Sequence, residues 1–222
     1  MTMIIAVAGQ KGGSGKSTIA IHLAAEWHRR GKRTLLVDAD PQGTSLTWGE
    51  VAEEQSIDAP SVIAVGDNLR RTLPDLAEGY EIVVIDCPGS RHAKRQLGAL
   101  AVADFALLPC GPSTPDVWAL AETVALVDDL QAARLEPLVA GIVVNRRSAT
   151  VEGRTAQDVL SESCSIPVLR TSLGQRVAFS EALAAGLGIT SYVGGSTAAV
   201  ELRRLADEIE DAVGFSGQVH VA

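Results

Sequence analysis

The sequence predicts an α/β fold: a doubly wound, mostly parallel sheet with helices on both faces. Three features predict it. Short apolar runs recur without polar alternation, as strands buried on both faces do. Segments of helical period fill the intervals between them. A glycine-rich stretch joins the first run to the first helical segment, where folds of this kind bind ligands.

The first run, residues 3–8 (MIIAVA), reads as a buried strand. Residues 17–30 read as a helix with Ile19, Leu23 and Trp27 on one face, ended by Gly31. Further strands are expected at 34–37, 82–85, 105–108 and 138–144, with a short sixth at 167–169. Helices are expected at 67–77, 91–103, 116–133, 151–161, 177–186 and 197–213. There is no internal repeat and no linker rich enough to split the chain. Residues 1–213 are therefore expected to form a single domain, with 214–222 a frayed, flexible tail.

Bulk properties narrow the function classes. The 222 residues are 46% hydrophobic and 21% charged, ordinary for a soluble protein. A formal charge of −8 excludes a uniformly basic protein. Any nucleic-acid contact must come from a local basic patch, or from a dimer that concentrates one. Cys87, Cys110 and Cys164 show no paired spacing, which fits a reducing compartment. The start lacks a basic leader, and the longest apolar-rich stretch, 97–110, is broken by Asp104 and falls short of a membrane span. A cytoplasmic protein is expected.

The strongest chemical signal is Gly9-Gln-Lys-Gly-Gly-Ser-Gly-Lys-Ser-Thr18. Gly12, Gly13 and Gly15 let the backbone of this loop, Ser14 included, turn its N–H groups toward a phosphate. The helix that follows adds its positive dipole end. Lys16 can reach β- and γ-phosphates, Ser17 can ligate Mg²⁺, and Thr18 can bond the α-phosphate. The match to the common P-loop pattern is not strict, because Gln10 stands where that pattern has its first glycine. Two further segments place carboxylates at strand ends: Asp38-Ala-Asp40-Pro-Gln-Gly43, and Asp86-Cys-Pro-Gly89 after the run Ile-Val-Val-Ile. A third strand ends in Asn145.

Taken together, these motifs resemble the deviant P-loop of the ParA/MinD ATPases, which carry an extra lysine at the start of the loop. Here that lysine is Lys11. The resemblance covers nearly the whole chain and implies a P-loop NTPase fold with ATP and Mg²⁺ as ligands. It implies a homodimer that sandwiches two nucleotides, with Lys11 reaching the partner's phosphates as a trans cation. It assigns Asp40 to orienting the attacking water, Asp38 to the neighbourhood of the magnesium, Asp86 to holding the metal, and Asn145 to adenine. Catalysis would thus rest on Lys11, Lys16 and Asp40. Residues 169–173 would wall the base pocket. Cys87 reads as a small buried filler.

The resemblance further implies sequence-independent binding to nucleoid DNA through basic residues of the last third, here Arg170, Arg176, Arg203 and Arg204, and weak ATPase activity stimulated by a ParB-like or cargo-adaptor protein. No Lys or Arg follows Arg204, which disfavours a basic membrane helix. The expected function is segregation or positioning of a plasmid, chromosome or other nucleoid-borne cargo by ATP hydrolysis. Two other readings remain open at this stage: a small-molecule kinase or ATP-dependent ligase on the same fold, and a non-hydrolysing scaffold controlled by nucleotide.

Overall fold

A computed structural model describes residues 2–215. The chain runs β1 (Met3–Val7), α1 (Lys16–Arg29), β2 (Thr34–Asp38), α2 (Thr44–Glu54), β3 (Ser61–Ala64), α3 (Leu69–Leu76) and β4 (Ile82–Asp86). A 3₁₀ turn (Ser90–His92) leads into α4 (Ala93–Val102), then β5 (Phe105–Cys110), α5 (Thr114–Ala133), β6 (Val139–Arg147), α6 (Val151–Ser163) and β7 (Val168–Gly174). The chain closes with α7 (Val177–Ala184), α8 (Ile189–Tyr192) and α9 (Thr197–Ala212).

Among the described residues, seven strands form one sheet in the order β3-β2-β4-β1-β5-β6-β7, every pairing parallel. The unalternating apolar runs are explained by two cores. Ile5, Val7, Leu36, Ile82 and Val84 face α1, α2 and α7–α9. Their sequence neighbours Ala6, Leu35, Val37, Val83 and Ile85 face α3–α6. Period-2 alternation is present, but both faces are dry.

The structure adds elements to the sequence reading. Helix α2 and strand β3 lie in a stretch with no predicted element. Strand β3 is a four-residue edge strand with both end residues exposed, so no continuous apolar run marks it. Strands β6 and β7 run on through polar residues to Arg147 and Gly174, because backbone pairing continues where apolarity ends. At the other end of the chain, Phe215 packs against the core, and Lys32 Nζ lies 5.7 Å from its ring centre. Of the tail expected at 214–222, residues 216–222 lie outside the described residues.

All strand carboxyl ends share one edge of the sheet. Strand β1 sits at its centre, and the chain leaves it for β2 on one side and returns to β5 on the other. That reversal opens a crevice at the end of β1.

Candidate functional site

Residues 8–15 fill this crevice. Gly13 and Gly15 adopt positive φ of 75° and 93°. Gly15 caps α1 with no side-chain hydrogen bond, so the first amides of the helix are left for a ligand. A Cβ on Gly15 would collide with the Asn145 amide. That amide clamps the loop: Asn145 Nδ2 donates to the Ser14 carbonyl at 2.8 Å, and Oδ1 accepts from the Arg146 N–H at 2.9 Å. Strand β6 thereby holds a turn 131 positions earlier in the chain.

The two loop lysines diverge. Lys16 is buried, and its Nζ donates to the Lys11 carbonyl at 3.1 Å. Burial lowers its pKa, against the opposing pull of Asp86, Cys87 and Asp40. Lys11 points outward and pairs with Asp116 Oδ1 at 2.6 Å, with 41% of its side chain exposed. Asp116 and Ser113 form the capping box that opens α5. The Gln10 N–H donates to Thr123 Oγ1 of the same helix at 3.1 Å.

Strand register brings two carboxylates side by side: Asp38 ends β2 directly opposite Asp86 of β4. Their oxygens are used differently. Asp38 Oδ1 accepts from the Asp40 N–H at 3.0 Å and Oδ2 from the Leu46 N–H at 2.9 Å, so it shapes the turn into α2. Burial raises its pKa. Asp86 is fully buried; Oδ2 accepts from Ser45 Oγ at 2.8 Å, while Oδ1 has no hydrogen-bond partner. Burial raises its pKa to about 7, opposed by the Ser17 and Ser45 hydroxyls. An orphaned buried carboxylate oxygen beside a loop hydroxyl suits a hard divalent cation, which keeps water and phosphate oxygens as its other ligands. Asp86 and Ser17 are the residues that would hold Mg²⁺.

Asp40 sits at the mouth, its Oδ1 accepting from the Gln42 N–H at 3.0 Å. The loop after β4 leans on the phosphate loop, the Ser90 N–H donating to the Gln10 carbonyl at 3.1 Å. Cys87 is wholly buried and its thiol pKa is pushed up by that burial, as suits a filler.

The four candidate arginines do not form one free patch. Arg176 Nη2 is held by Glu201 Oε1 at 2.8 Å, and Arg147 approaches the same carboxylate at 3.9 Å. Arg203 donates to the Gly194 carbonyl. Arg170 is 91% exposed but lies 3.7 Å from Glu208, and Arg204 is exposed. Their acidic neighbours come from α9, folded against β7, a proximity that linear spacing does not reveal.

Sequence reasoning passed over Asp116, Thr123 and Ser45. Asp116 had a readable signal, the Ser113-x-x-Asp116 capping pattern with Pro115 in the first turn. Thr123 and Ser45 had none, since each matters only through a contact far along the chain.

A phosphate-cradling turn between the first strand and first helix of a parallel sheet, with a buried acid at a neighbouring strand end, defines the P-loop class of nucleoside-triphosphate-binding proteins. The domain described as the CobQ/CobB/MinD/ParA nucleotide binding domain matches residues 5–189, and the chain belongs to this family of ParA/MinD-type ATPases. It is 31% identical over 213 residues to maintenance of carboxysome distribution protein A of Halothiobacillus neapolitanus, covering 92% of this chain and 95% of that protein. It is 33% identical over 241 residues to the chromosome-partitioning ATPase Soj of Thermus thermophilus, covering 92% and 94%. The septum site-determining protein MinD of Pyrococcus horikoshii, solved with Mg-ADP, superposes with a TM-score of 0.75 at 22% identity, covering 99% of this chain and all of that one.

Proposed function

We propose that this chain is an ATP-driven switch that dimerises around two MgATP molecules and positions a large intracellular cargo over DNA. The observation that carries the reading is the divergence of the two lysines: Lys16 is buried at the root of the amide cradle, and Lys11 stands exposed at its mouth. In this proposal the first holds a phosphate within its own chain. The second reaches the partner chain once it leaves Asp116.

In this reading, Lys16 and the amides of Gly12, Gly13, Ser14 and Gly15 grip the triphosphate, and Thr18 bonds the α-phosphate. Bound Mg²⁺ would neutralise charge on the β- and γ-phosphate oxygens. Ser17 and Asp86 supply its protein ligands, and Asp38 holds the adjoining turn in place. Asp40 orients the attacking water, Lys11 completes the partner's site, and Asn145, at the base side of the pocket, acts on the nucleotide by bracing the loop at Ser14. The reading takes residues 1–213 as one domain and places the protein in the cytoplasm on the nucleoid.

DNA contact would use Arg204 and Arg170, the exposed candidates not held in a short ion pair as Arg176 is by Glu201, doubled by dimerisation. A ParB-like or cargo-adaptor protein would stimulate hydrolysis and release the dimer. The similarity to both a carboxysome-distribution protein and a chromosome-partitioning ATPase supports cargo positioning as the shared role. The test is ATP-dependent retention on DNA. Lys11→Ala and Lys16→Ala should abolish it, whereas Asp40→Ala should retain DNA but stop turnover. Normal hydrolysis by Asp40→Ala would overturn the mechanism, and a phosphorylated metabolite in place of inorganic phosphate would overturn the switch.

A further inference from the structure

An apolar groove of about 830 Å³ runs between α5 and α6 and shares no lining residue with the phosphate loop. Its floor and walls include Trp118, Ala121, Val124 and Ala125 from α5 and Ala156 and Val159 from α6. Trp118 is 71% exposed and Val159 45% exposed, a high solvation cost for apolar side chains that share one surface.

The groove has an acidic border. On α5, Val117, Ala121, Val124 and Asp128 line the groove together with Trp118 and Ala125, and Glu122 and Asp129, on the same helical row as Trp118 and Ala125, flank it. On α6 the row Ala156–Val159–Ser163 lines it, flanked by Asp158 and Glu162. All four flanking acids are exposed. Helix α5 contains no lysine or arginine, and α6 has only Arg154, whose guanidinium donates to the Ala149 carbonyl at 3.0 Å.

We infer that this groove is a docking site for a basic amphipathic helix of a partner protein, its apolar face laid against Trp118 and Val159 and its flanking Lys or Arg residues paired with Glu122, Asp129, Asp158 and Glu162. Charge decides the occupant. A helix of matching width with cationic flanks gains attraction along both borders, which speeds encounter and fixes its register. A second copy of this chain would bring acid against acid in a groove-to-groove pairing. The inference does not depend on ATP use, and the two are measured separately.

Trp118 supplies the readout. The chain has three tryptophans, and the other two, Trp27 and Trp48, are buried. The probe is a short synthetic leucine–lysine amphipathic helix titrated into the full chain. The expected result is a saturable blue shift of tryptophan emission that is weakened by salt and absent in Trp118→Phe. The double reversal Glu122→Lys with Asp129→Lys should weaken binding about tenfold or more, while ATP affinity stays at the wild-type value. Reversing the exposed acids Glu50 and Glu53 on α2 should leave peptide binding unchanged. The inference is overturned if no saturable shift occurs, if a scrambled peptide of the same composition or a leucine–glutamate helix binds equally well, or if the α2 reversals weaken binding as much as the rim reversals. It is also overturned if emission of the free chain shifts with protein concentration, which would make a second copy the occupant.

Discussion

The Lys11 ammonium and the Asp116 carboxylate, 105 positions apart, meet at 2.6 Å. Within one chain, the lysine expected to act on a partner's phosphates is held by the first turn of α5. A half-exposed pair of this kind contributes about 0.5–1 kcal/mol, enough to restrain the side chain without locking it. Asp116→Asn should therefore lower the ATP concentration needed for dimerisation by about two- to fivefold, read by light scattering against ATP. An unchanged or higher requirement would show that the pair does not restrain Lys11.

Among the described residues, Asp86 carries the one buried carboxylate oxygen without a hydrogen-bond partner. Asp86→Asn keeps the shape and removes the charge. Titration calorimetry should then find that Mg²⁺ no longer strengthens ATP binding, while the metal-free protein melts at the same or a higher temperature, since burying that charge is costly. A magnesium-dependent gain retained in Asp86→Asn would move the metal to other residues.

Asn145 braces Ser14 through its Nδ2 and sits against Gly15. Asn145→Ala should weaken ATP and GTP alike, by about tenfold, the scale of one lost hydrogen bond in a buried network. A loss confined to ATP would instead make the side chain a reader of adenine. Gly15→Ala should be worse than either, because it meets both the positive φ and the amide.

His22 is a pH-sensitive staple. The Ile189 N–H donates to its Nδ1 at 3.1 Å, so Nε2 carries the proton and donates to the Phe179 carbonyl at 3.1 Å. Burial lowers its pKa from 6.5 to about 4. The folded state thus binds fewer protons than the unfolded one between these values. Stability from this group is full above about pH 6.5 and declines as pH falls toward 4, by on the order of 3 kcal/mol in all. His22→Phe should flatten that slope in thermal melts, while lowering Tm at pH 7 because the Ile189 amide and the Phe179 carbonyl lose their partner. An equally steep slope in the variant would assign the acid sensitivity elsewhere.

Much of this molecule was legible before its structure. Runs such as Ile82-Val-Val-Ile85 mark strands because both faces of the sheet exclude water, and the cradle of Gly12 to Ser17 declares itself because backbone approach to phosphate demands glycine. The resemblance to ParA/MinD ATPases followed from those residues and agrees with the family match over residues 5–189. Edge strand β3 escaped notice because half-exposed segments lack the apolar signature, and α2 because its buried face, led by Trp48, is interrupted by polar residues.

The sequence by itself determined which residues have the chemistry to bind a nucleotide, since local turn geometry and side-chain type are properties of contiguous residues. Only the tertiary structure decided what those residues touch. Parallel strands paired out of chain order bring Asp38 beside Asp86 and Asn145 under Ser14, and α9 packed against β7 brings Glu201 onto Arg176. Such contacts arise from packing between elements many residues apart; periodicity shows that an element has a buried face, but not which distant element covers it.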